Sequence, residues 1–399
     1  MKKRVLSLLM VSIMVCSLFT GCGSKKDEAK QPAGDQQTIP DSKDDVPVAP
    51  DDTTNPDDSQ TEKPPVVENH DNDIRSELTN LWIPDTYEDA RPIAIMTPND
   101  KAAILSHYAL SKAGIIYQCT VEGNITRLMC MYDDYEALGD RVGNVRSARL
   151  YYIYWALEWD SLFIHFGGPY YIDDICKSGL VADIDLKNMT KGTEESAGTL
   201  SEEGYRSYYF RAADRKSPQN AYTSSGAIAN SITSKGYSKT HTSMYKGAHY
   251  QFADEENPVD LSKASDSQEC LTVDFSGTYT VDDTYFMYDA DSQTYLRFQY
   301  DEPHIDQLNG EQLAFKNIIV QFCNWRSMDA KGYLEFYFKE SDTGYYITDG
   351  YAIPITWEKD DDYALTKYYD MDGNELTINT GKTMICIVKN TDKDKVEIN

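Results

Sequence analysis

The chain has 399 residues and a formal net charge of −27, with 65 acidic and 38 basic side chains. This excess of negative charge repels nucleic acids and anionic lipid head groups at long range, so it argues against nucleic-acid binding. The six cysteines after Cys22 are isolated, without a CxxC pair, which argues against a metal site or a redox motif. The sequence therefore predicts no cofactor and no metal, and it does not decide the disulfide status of Cys119, Cys130, Cys176, Cys270, Cys323 and Cys386.

The first residues have the layout of a bacterial lipoprotein signal peptide, predicted to span residues 1–21. Lys2, Lys3 and Arg4 precede an uncharged apolar run, Val5–Phe19, and small residues then lead to Cys22. The run is shorter than the ~20 residues that span a bilayer. Acyl chains on Cys22 would anchor the protein to the outer face of the cell membrane, which makes the membrane a predicted partner. The alternative is an ordinary cleaved secretion signal.

Residues 22–75 are predicted to form the lipidated cysteine and a disordered acidic tether. Between Gly23 and Asp73 the chain has no aromatic residue but has seven prolines and 14 acidic side chains. Such a composition cannot bury enough apolar surface to fold. Charge repulsion and proline stiffness favour extended conformations, so the folded part is expected to stand tens of ångströms above the bilayer.

Residues 76–240 are expected to form an α/β or α+β domain. Their periodicity predicts strands at 92–96, 115–122, 125–131 and 162–166, and helices at 102–113, 148–159, 169–176 and 225–234. Gly123 and Asn124 separate two of the strands, and both residue types tolerate positive φ, which predicts a hairpin there.

Residues 241–399 are expected to form a β-rich domain, after a joining segment at about 237–268. Short runs rich in Tyr, Thr, Val and Ile recur between Gly, Asp and Asn turns. They predict strands at 271–275, 278–288, 295–299, 315–322, 333–338, 344–347 and 384–388. No long helix is predicted in this half.

The start of the helix at 148–159 is the first candidate site. Arg146 and Arg149 flank Ser147, which can serve as the N-cap, and cations there oppose the positive end of the helix dipole. One interpretation is an anion site, where N–H groups and two guanidinium groups converge on a phosphate or carboxylate. In the other, the arginines pair with acids of the same chain, of which Glu122 is the nearest candidate.

His165 is the second candidate, because it ends a hydrophobic strand that is followed by Gly167, Gly168 and Pro169. Strand ends that face a glycine turn and a helix are frequent ligand sites in α/β folds. A histidine there can act as a general base or donate to an anion, although it can equally make a structural hydrogen bond. The absence of a GxGxxG or GxxxxGK[ST] pattern gives no indication of a nucleotide.

The third candidate is a polar loop from Asp214 to Asn220, in which Arg215 and Lys216 stand beside Asp and Asn. This composition suits a saccharide or an anionic polymer, and it suits an ordinary solvated loop equally well.

Glu122, with Arg127 five residues later, is the best single carboxylate for acid chemistry. Glycosidic cleavage normally requires a second carboxylate within ~5 to 10 Å. No motif identifies that second group, so Asp214 and Asp173 are candidates only by elimination.

Several motifs, in their order along the chain, resemble the YerB-like lipoprotein family of Gram-positive bacteria, which has paired N- and C-terminal domains of unknown function 3048. They include RPIAIM at 91–96, VEGNITR at 121–127, GNVRSAR at 143–149, HFGG at 165–168, RKSP at 215–218, TYLRF at 294–298, PHID at 303–306 and KNIIV at 316–320. The resemblance implies an α/β-containing first domain and a β-rich second one. It implies no established activity and no catalytic residue, and Gln219 stands where the family commonly has histidine.

These observations predict a lipid-anchored envelope protein whose first domain binds a cell-wall saccharide or an anionic envelope component. The candidate ligand-binding residues are Arg127, Arg146, Arg149, His165, Arg215, Lys216 and Asn220. One alternative is a glycan hydrolase or transglycosylase that uses Glu122 and a second acid. Another is a protein-interaction module of the envelope.

Overall fold

The computed structural model describes residues 69–199 and 206–399. The predicted signal peptide, Cys22 and nearly all of the predicted tether lie outside the described residues. Val67–Asn399 forms one compact unit. Within the described ranges, every helix is too short or too polar to cross a membrane.

The described residues are mostly β-structure, built around one mixed sheet of 12 strands. In chain order the strands are β1 (Ile93–Pro98), β2 (Ile115–Thr120), β3 (Thr126–Tyr132), β4 (Leu162–His165), β5 (Ala182–Asp185), β6 (Gln268–Glu269), β7 (Asn317–Ser327), β8 (Leu334–Tyr337), β9 (Ser341–Thr348), β10 (Tyr351–Glu358), β11 (Lys367–Tyr369) and β12 (Thr383–Lys389). Their order across the sheet is β6-β10-β9-β7-β12-β2-β3-β1-β4-β5, with β8 paired to β7 and β11 to β10.

The two halves of the chain share this sheet, because β12 lies between β7 and β2. It runs parallel to both neighbours, with Ile385 opposite Ile319 on one side and Tyr117 on the other. The domain boundary near residue 240 stays a prediction. Strands from both sides of it hydrogen-bond within the same 12-stranded sheet.

The central strands are buried on both faces, which explains why they read as continuous apolar runs. β1, β2 and β3 are buried at every position. On one face Ile116 and Leu128 contact a second sheet, and on the other Tyr117 and Met129 contact a helix. Each large apolar side chain buried in this way stabilises the fold by ~1.5–3 kcal/mol.

The second sheet has six strands: Thr272–Asp274, Thr284–Asp289, Thr294–Gln299, Glu302–Pro303, Ala314–Phe315 and Glu397–Ile398. A four-stranded sheet contains Val142–Gly143, Lys191–Gly192, Tyr209–Arg211 and Ala221–Thr223. Two further pairs join Asp73–Arg75 to Trp82–Pro84 and Gln251–Phe252 to Thr377–Ile378. The β-rich character predicted for the C-terminal half is confirmed.

The α-helices of the described residues are α1 (Leu150–Glu158), α2 (Asp173–Lys177) and α3 (Ser225–Lys235). The ring of Trp155 in α1 stacks on Tyr117 at 5.4 Å, which fixes α1 against the sheet. α3 begins where the Ser224 side chain accepts the Ala227 N–H, and it ends at Gly236 in the left-handed conformation. The helices predicted at 148–159 and 225–234 are confirmed.

The helix predicted at 102–113 is wrong, and the segment predicted as a helix at 169–176 forms a 3-10 turn, Tyr170–Ile172, followed directly by α2. Ile104–Ser106 and Leu110–Lys112 form separate 3-10 turns, and Ala109 between them has a φ of 71°. The Asp306 carboxylate accepts the Ala109 N–H at 3.0 Å, so a distant residue satisfies a backbone group that a helix would have used. The α/β character expected of residues 76–240 is thus reduced to three α-helices in a mostly β structure.

Candidate functional site

Arg127, Arg146 and Arg149 come together at the N-terminal end of α1. Arg127 lies in β3, and the other two lie in the segment that precedes the helix. The backbone fixes that segment, because the Arg146 N–H donates to the Met96 carbonyl at 2.8 Å. The Arg146 carbonyl in turn accepts the Phe166 N–H at 2.9 Å, so the segment lies between β1 and the turn after β4.

Arg149 forms an ion pair with Glu122. The Arg149 Nε donates to Glu122 Oε2 at 2.8 Å, and Nη2 contacts Oε1. The Arg149 side chain is 4% exposed and Glu122 is 29% exposed. Burial opposes the charge of both groups, but their hydrogen bonds prevail: the pKa of Arg149 is raised and the pKa of Glu122 is lowered. Glu122 is therefore held ionised and is poorly suited to donate a proton at neutral pH.

Arg127 is buried and hydrogen-bonds to the backbone. Its Nη1 donates to the Ser147 carbonyl at 2.6 Å, just before α1. Burial and the neighbouring charge of Arg149 lower the Arg127 pKa to about 10. Arg127 therefore adds a buried cation close to Arg149 at the N-terminal end of α1.

Arg146 is half-buried, and within the described ranges its guanidinium group has no hydrogen-bond or ion-pair partner. Burial lowers its pKa; Arg149 and Arg211 lower it further, while Asp100 and Glu122 act in the opposite direction. Arginine carries five N–H donors, so several remain available to a ligand. We call Arg127, Arg146, Arg149 and Arg211 the arginine cluster.

Arg211 belongs to the arginine cluster but was not predicted as a site residue. It ends the short strand Tyr209–Arg211. Its Nη1 donates to Asn220 Oδ1 at 2.7 Å, and its guanidinium carbon lies 4.8 Å from the centre of the Phe166 ring. Asn220 also donates to the Arg215 carbonyl at 3.4 Å. The predicted ligand-binding residue Asn220 therefore orients Arg211.

The polar loop at 214–220 carries its own ion pairs. Asp214 accepts from Arg141 at 2.9 Å and lies 3.7 Å from the Arg215 Nε. The hydrogen bond from Arg141 lowers the Asp214 pKa. Lys216 is exposed and has no side-chain partner among the described residues. Among the described residues, no contact joins the side chains of Arg215 or Lys216 to the arginine cluster.

The His165 ring contacts Asp183, and no contact among the described residues joins the ring to an arginine side chain. Its Nε2 lies 2.7 Å from Asp183 Oδ1, and its Nδ1 lies 2.9 Å from the Gly167 carbonyl oxygen. Burial opposes protonation of the ring, but the hydrogen bond and charge of Asp183 prevail and raise the His165 pKa. The structure therefore brings Arg127, Arg146 and Arg149 together and places the His165 ring in a different cluster.

Each carboxylate considered for acid chemistry has a cationic partner of its own. Glu122 pairs with Arg149, Asp214 with Arg141, and Asp173 with Lys177 at 3.0 Å on the surface of α2. These three carboxylates belong to three separate ion pairs.

An aromatic groove of about 300 Å³ begins at the first turn of α1, directly after Arg149. The guanidinium of Arg149 lies 5.4 Å from the Tyr333 ring, which packs edge-on against Tyr171 at 5.3 Å. The groove is lined by Leu150, Tyr151, Tyr154, Glu335, Phe336, Tyr337, Phe338, Lys339, Glu340 and Asp362. The 30 tyrosines of the sequence were a compositional signal for such a surface, but they did not show which would converge.

The fold is thus a mixed sheet built by both halves of the chain, and the arginine cluster lies at the N-terminal end of α1. The chain belongs to the DUF3048 family. The family's "Protein of unknown function (DUF3048) N-terminal domain" matches residues 78–238, and its C-terminal domain matches residues 271–385. Together the two segments cover more than half of the chain, and the family predicted from the sequence motifs is confirmed.

The YerB protein of Bacillus subtilis supports this assignment, both by its sequence and by its crystal structure. The chain is 25% identical over 324 residues to the protein named "Putative lipoprotein YerB" of strain 168, covering 80% of this chain and 87% of that protein. The crystal structure of the YerB protein from Bacillus subtilis matches with a TM-score of 0.67 and 23% identity, over 82% of this chain and 99% of that one. At this identity the structural match shows the fold.

Proposed function

We propose that this protein is a lipoprotein, anchored through Cys22 to the outer face of the membrane, that binds an anionic glycan of the cell envelope. The name of the Bacillus relative and the layout of residues 1–22 support the anchor. A protein held there faces the polymers of the envelope, many of which combine sugar rings with phosphate or carboxylate groups.

The observation that carries the binding proposal is that the guanidinium of Arg146 has no hydrogen-bond or ion-pair partner among residues 69–199 and 206–399. This half-buried cation lies near the like charges of Arg149 and Arg211 as well as the opposite charges of Asp100 and Glu122, and no side chain of the described residues caps this helix end. Such a group is stabilised by an ion pair or a bound anion. A phosphate or carboxylate beside Arg146 would accept from its N–H donors and interact favourably with the positive end of α1.

The aromatic groove supplies a surface for the sugar part of the ligand. Tyr154 and Tyr337 line it, and tyrosine offers an apolar ring for stacking together with a hydroxyl for hydrogen bonding. Leu150 lines the groove and follows Arg149 directly in the chain, so the groove and the arginine cluster adjoin. An anionic glycan could then contact both with neighbouring parts of one molecule.

The carboxylates support binding over hydrolysis. In the groove, Glu335 pairs with Arg326 at 2.5 Å and Asp362 with Lys339 at 2.9 Å. Glu122 is ionised beside Arg149. An inverting or retaining glycosidase requires one carboxylic acid that holds its proton at the working pH, whereas the hydrogen bonds of Arg149 prevail over burial and lower the pKa of Glu122.

Co-sedimentation with purified envelope glycan tests the proposal. Arg146→Ala should lower retention at least tenfold, with little change in melting temperature, because its guanidinium group makes no hydrogen bond or ion pair with the described residues. Lys246→Ala removes an equal charge at an exposed site and should retain wild-type binding. Glycan stripped of its phosphate polymers, compared with untreated glycan, identifies the anion. Wild-type retention by Arg146→Ala would overturn the proposal.

A further inference from the structure

We propose that His165, Cys176 and Asp183 form a binding site for a divalent transition-metal ion of the Zn²⁺ class. One ligand atom from each side chain, an imidazole nitrogen, a thiol sulfur and a carboxylate oxygen, lies within 4.8 Å of the other two. Nitrogen, sulfur and oxygen donors are the set that Zn²⁺ takes in proteins. This site does not depend on the glycan-binding proposal.

The three ligands come from three consecutive elements of one crossover. β4 and β5 are parallel neighbours, with His165 opposite Asp185. Asp183 lies two residues earlier in β5, and alternate residues of a strand point to the same face. α2 connects the two strands and carries Cys176. Continuous main chain therefore holds all three donors in place, although their spacing in the sequence matches no zinc motif.

The hydrogen bonds of His165 leave its Nε2 available as the ligand atom that faces Cys176 and Asp183. The Gly167 carbonyl can only accept, so Nδ1 carries the hydrogen and donates at 2.9 Å. Nε2 then faces Asp183 Oδ1 at 2.7 Å. A lone pair and a carboxylate at this distance repel each other unless a cation lies between them, either a proton or a metal ion. A backbone carbonyl on the second ring nitrogen is the usual support of a metal-binding histidine.

The charged groups around His165, Cys176 and Asp183 favour a bound cation. Asp185 lies close enough to act on both His165 and Cys176, and Asp173 acts on Cys176. Lys235 is a cation near Asp183 and opposes them. Asp183 is 13% exposed, which leaves a path from solvent to the cluster.

Metal binding requires only a small rearrangement and a balanced loss of protons. Ligand distances of ~2.0–2.3 Å in a tetrahedral site put nitrogen and oxygen about 3.3 Å apart, so His165 and Asp183 must separate by roughly 0.6 Å. Zn²⁺ displaces the thiol proton of Cys176 and the proton shared by His165 and Asp183, and both protons pass to solvent. Three protein ligands leave a fourth position for water.

The experiment uses the mature chain, residues 22–399, with Cys22→Ser to remove the predicted lipidated thiol. Calorimetric titration of the metal-free protein with Zn²⁺ should show one ion per chain. Co²⁺ should give a thiolate-to-metal charge-transfer band. Cys176→Ser should abolish that band and weaken Zn²⁺ binding at least tenfold. Cys270→Ser removes a buried thiol elsewhere, and Asp174→Asn removes an acid from the same helix; both should bind like wild type.

Circular dichroism melting accompanies every titration, because His165→Asn and Asp183→Asn each break a buried hydrogen bond. If either variant fails to fold, the wild-type Co²⁺ spectrum and the half-buried Cys176→Ser variant still decide the question. The proposal is overturned if the folded wild type binds no Zn²⁺, if its Co²⁺ complex lacks the thiolate band, or if Cys176→Ser binds like wild type.

Discussion

The guanidinium Nη2 of Arg297 donates a 3.0 Å hydrogen bond to Oε1 of Gln118, and so joins the second sheet to β2 of the central sheet. Arg297 is fully buried and also contacts Nδ1 of His304. The His304 ring lies 2.8 Å from the ring of His107, whose Nε2 donates to the Pro98 carbonyl. Because that carbonyl can only accept, His107 accepts from His304, and His304 accepts from Arg297. We call this series of hydrogen bonds, which ends at Pro98 of β1, the relay. It links the two family segments inside the protein.

Replacing Arg297 by Met should lower the free energy of unfolding by about 2 kcal/mol or more. The acceptors on Gln118 and His304 would then be buried without a donor, which costs ~1–3 kcal/mol each, while removal of a buried charge returns part of this. Burial already lowers the Arg297 pKa to about 10 and the His107 pKa to about 3. Urea denaturation measures the effect, with the exposed Arg326→Met as control. An Arg297→Met protein as stable as wild type would contradict a structural role for the relay.

The local elements could be predicted from the sequence because their causes are local. The apolar face of α1 and the Ser224 and Gly236 caps of α3 are visible in the chain itself. β10 was missed because Pro354 interrupts its pattern, and proline is unfavourable within a central strand. The parallel pairing of β12 with β2 joins segments far apart in the chain, which no periodicity reveals.

The candidate site was only partly predictable, for a related reason. The charges beside α1 marked Arg146 and Arg149, and the contact of Arg149 with Glu122 was one of two stated alternatives. Arg211 reaches the cluster through a strand whose pairing depends on tertiary structure, so its sequence position gives no signal. The direction of the His165 ring likewise depends on Asp183, which a parallel neighbour strand supplies.

Stability should fall as the pH rises from neutral to alkaline, in part because of His241. This ring lies 3.4 Å from Glu77 and 3.5 Å from Asp160. Burial opposes its charge, but the interactions with these two carboxylates prevail and raise its pKa to about 9, above the unfolded value of about 6.5. The stabilisation is therefore complete below pH ~6.5 and is lost as the pH rises through 9.

Urea denaturation between pH 6 and pH 10 measures this loss. His241→Gln cannot be protonated, so the decline in its unfolding free energy over this range should be smaller than in wild type. Lys246→Gln, which changes an exposed side chain, serves as a control and should keep the wild-type slope. Equal slopes for His241→Gln and wild type would contradict the assignment.

Cys22→Ser should move the protein from the membrane fraction to the medium, or leave it as an unprocessed precursor. The serine hydroxyl cannot carry the thioether-linked lipid that anchors the chain. Metabolic labelling with a radioactive fatty acid, followed by fractionation, measures both outcomes. Cys16→Ser lies within the apolar run and should label normally. Label that persists on the Cys22→Ser protein would be incompatible with an anchor at this residue.

The two partners of the Arg149 and Glu122 ion pair should respond unequally to removal. Glu122→Gln leaves the 4% exposed guanidinium of Arg149 without its counter-ion, whereas Arg149→Met leaves Glu122, which is 29% exposed and can turn toward water. Loss of one partner from a buried pair costs ~3–5 kcal/mol, and exposure of the remaining charge reduces this. We therefore expect Glu122→Gln to destabilise the protein more than Arg149→Met.

Urea denaturation of both single variants and of the double variant measures the difference and the coupling energy. The double variant should be more stable than Glu122→Gln alone, because it removes the unpaired buried charge. Equal losses from the two single variants would mean that Arg149 reaches solvent as easily as Glu122 does. In that case the arginine cluster would be exposed to solvent. The binding proposal would then lose one of its supports, which is that burial strengthens the interaction of Arg146 with an anion.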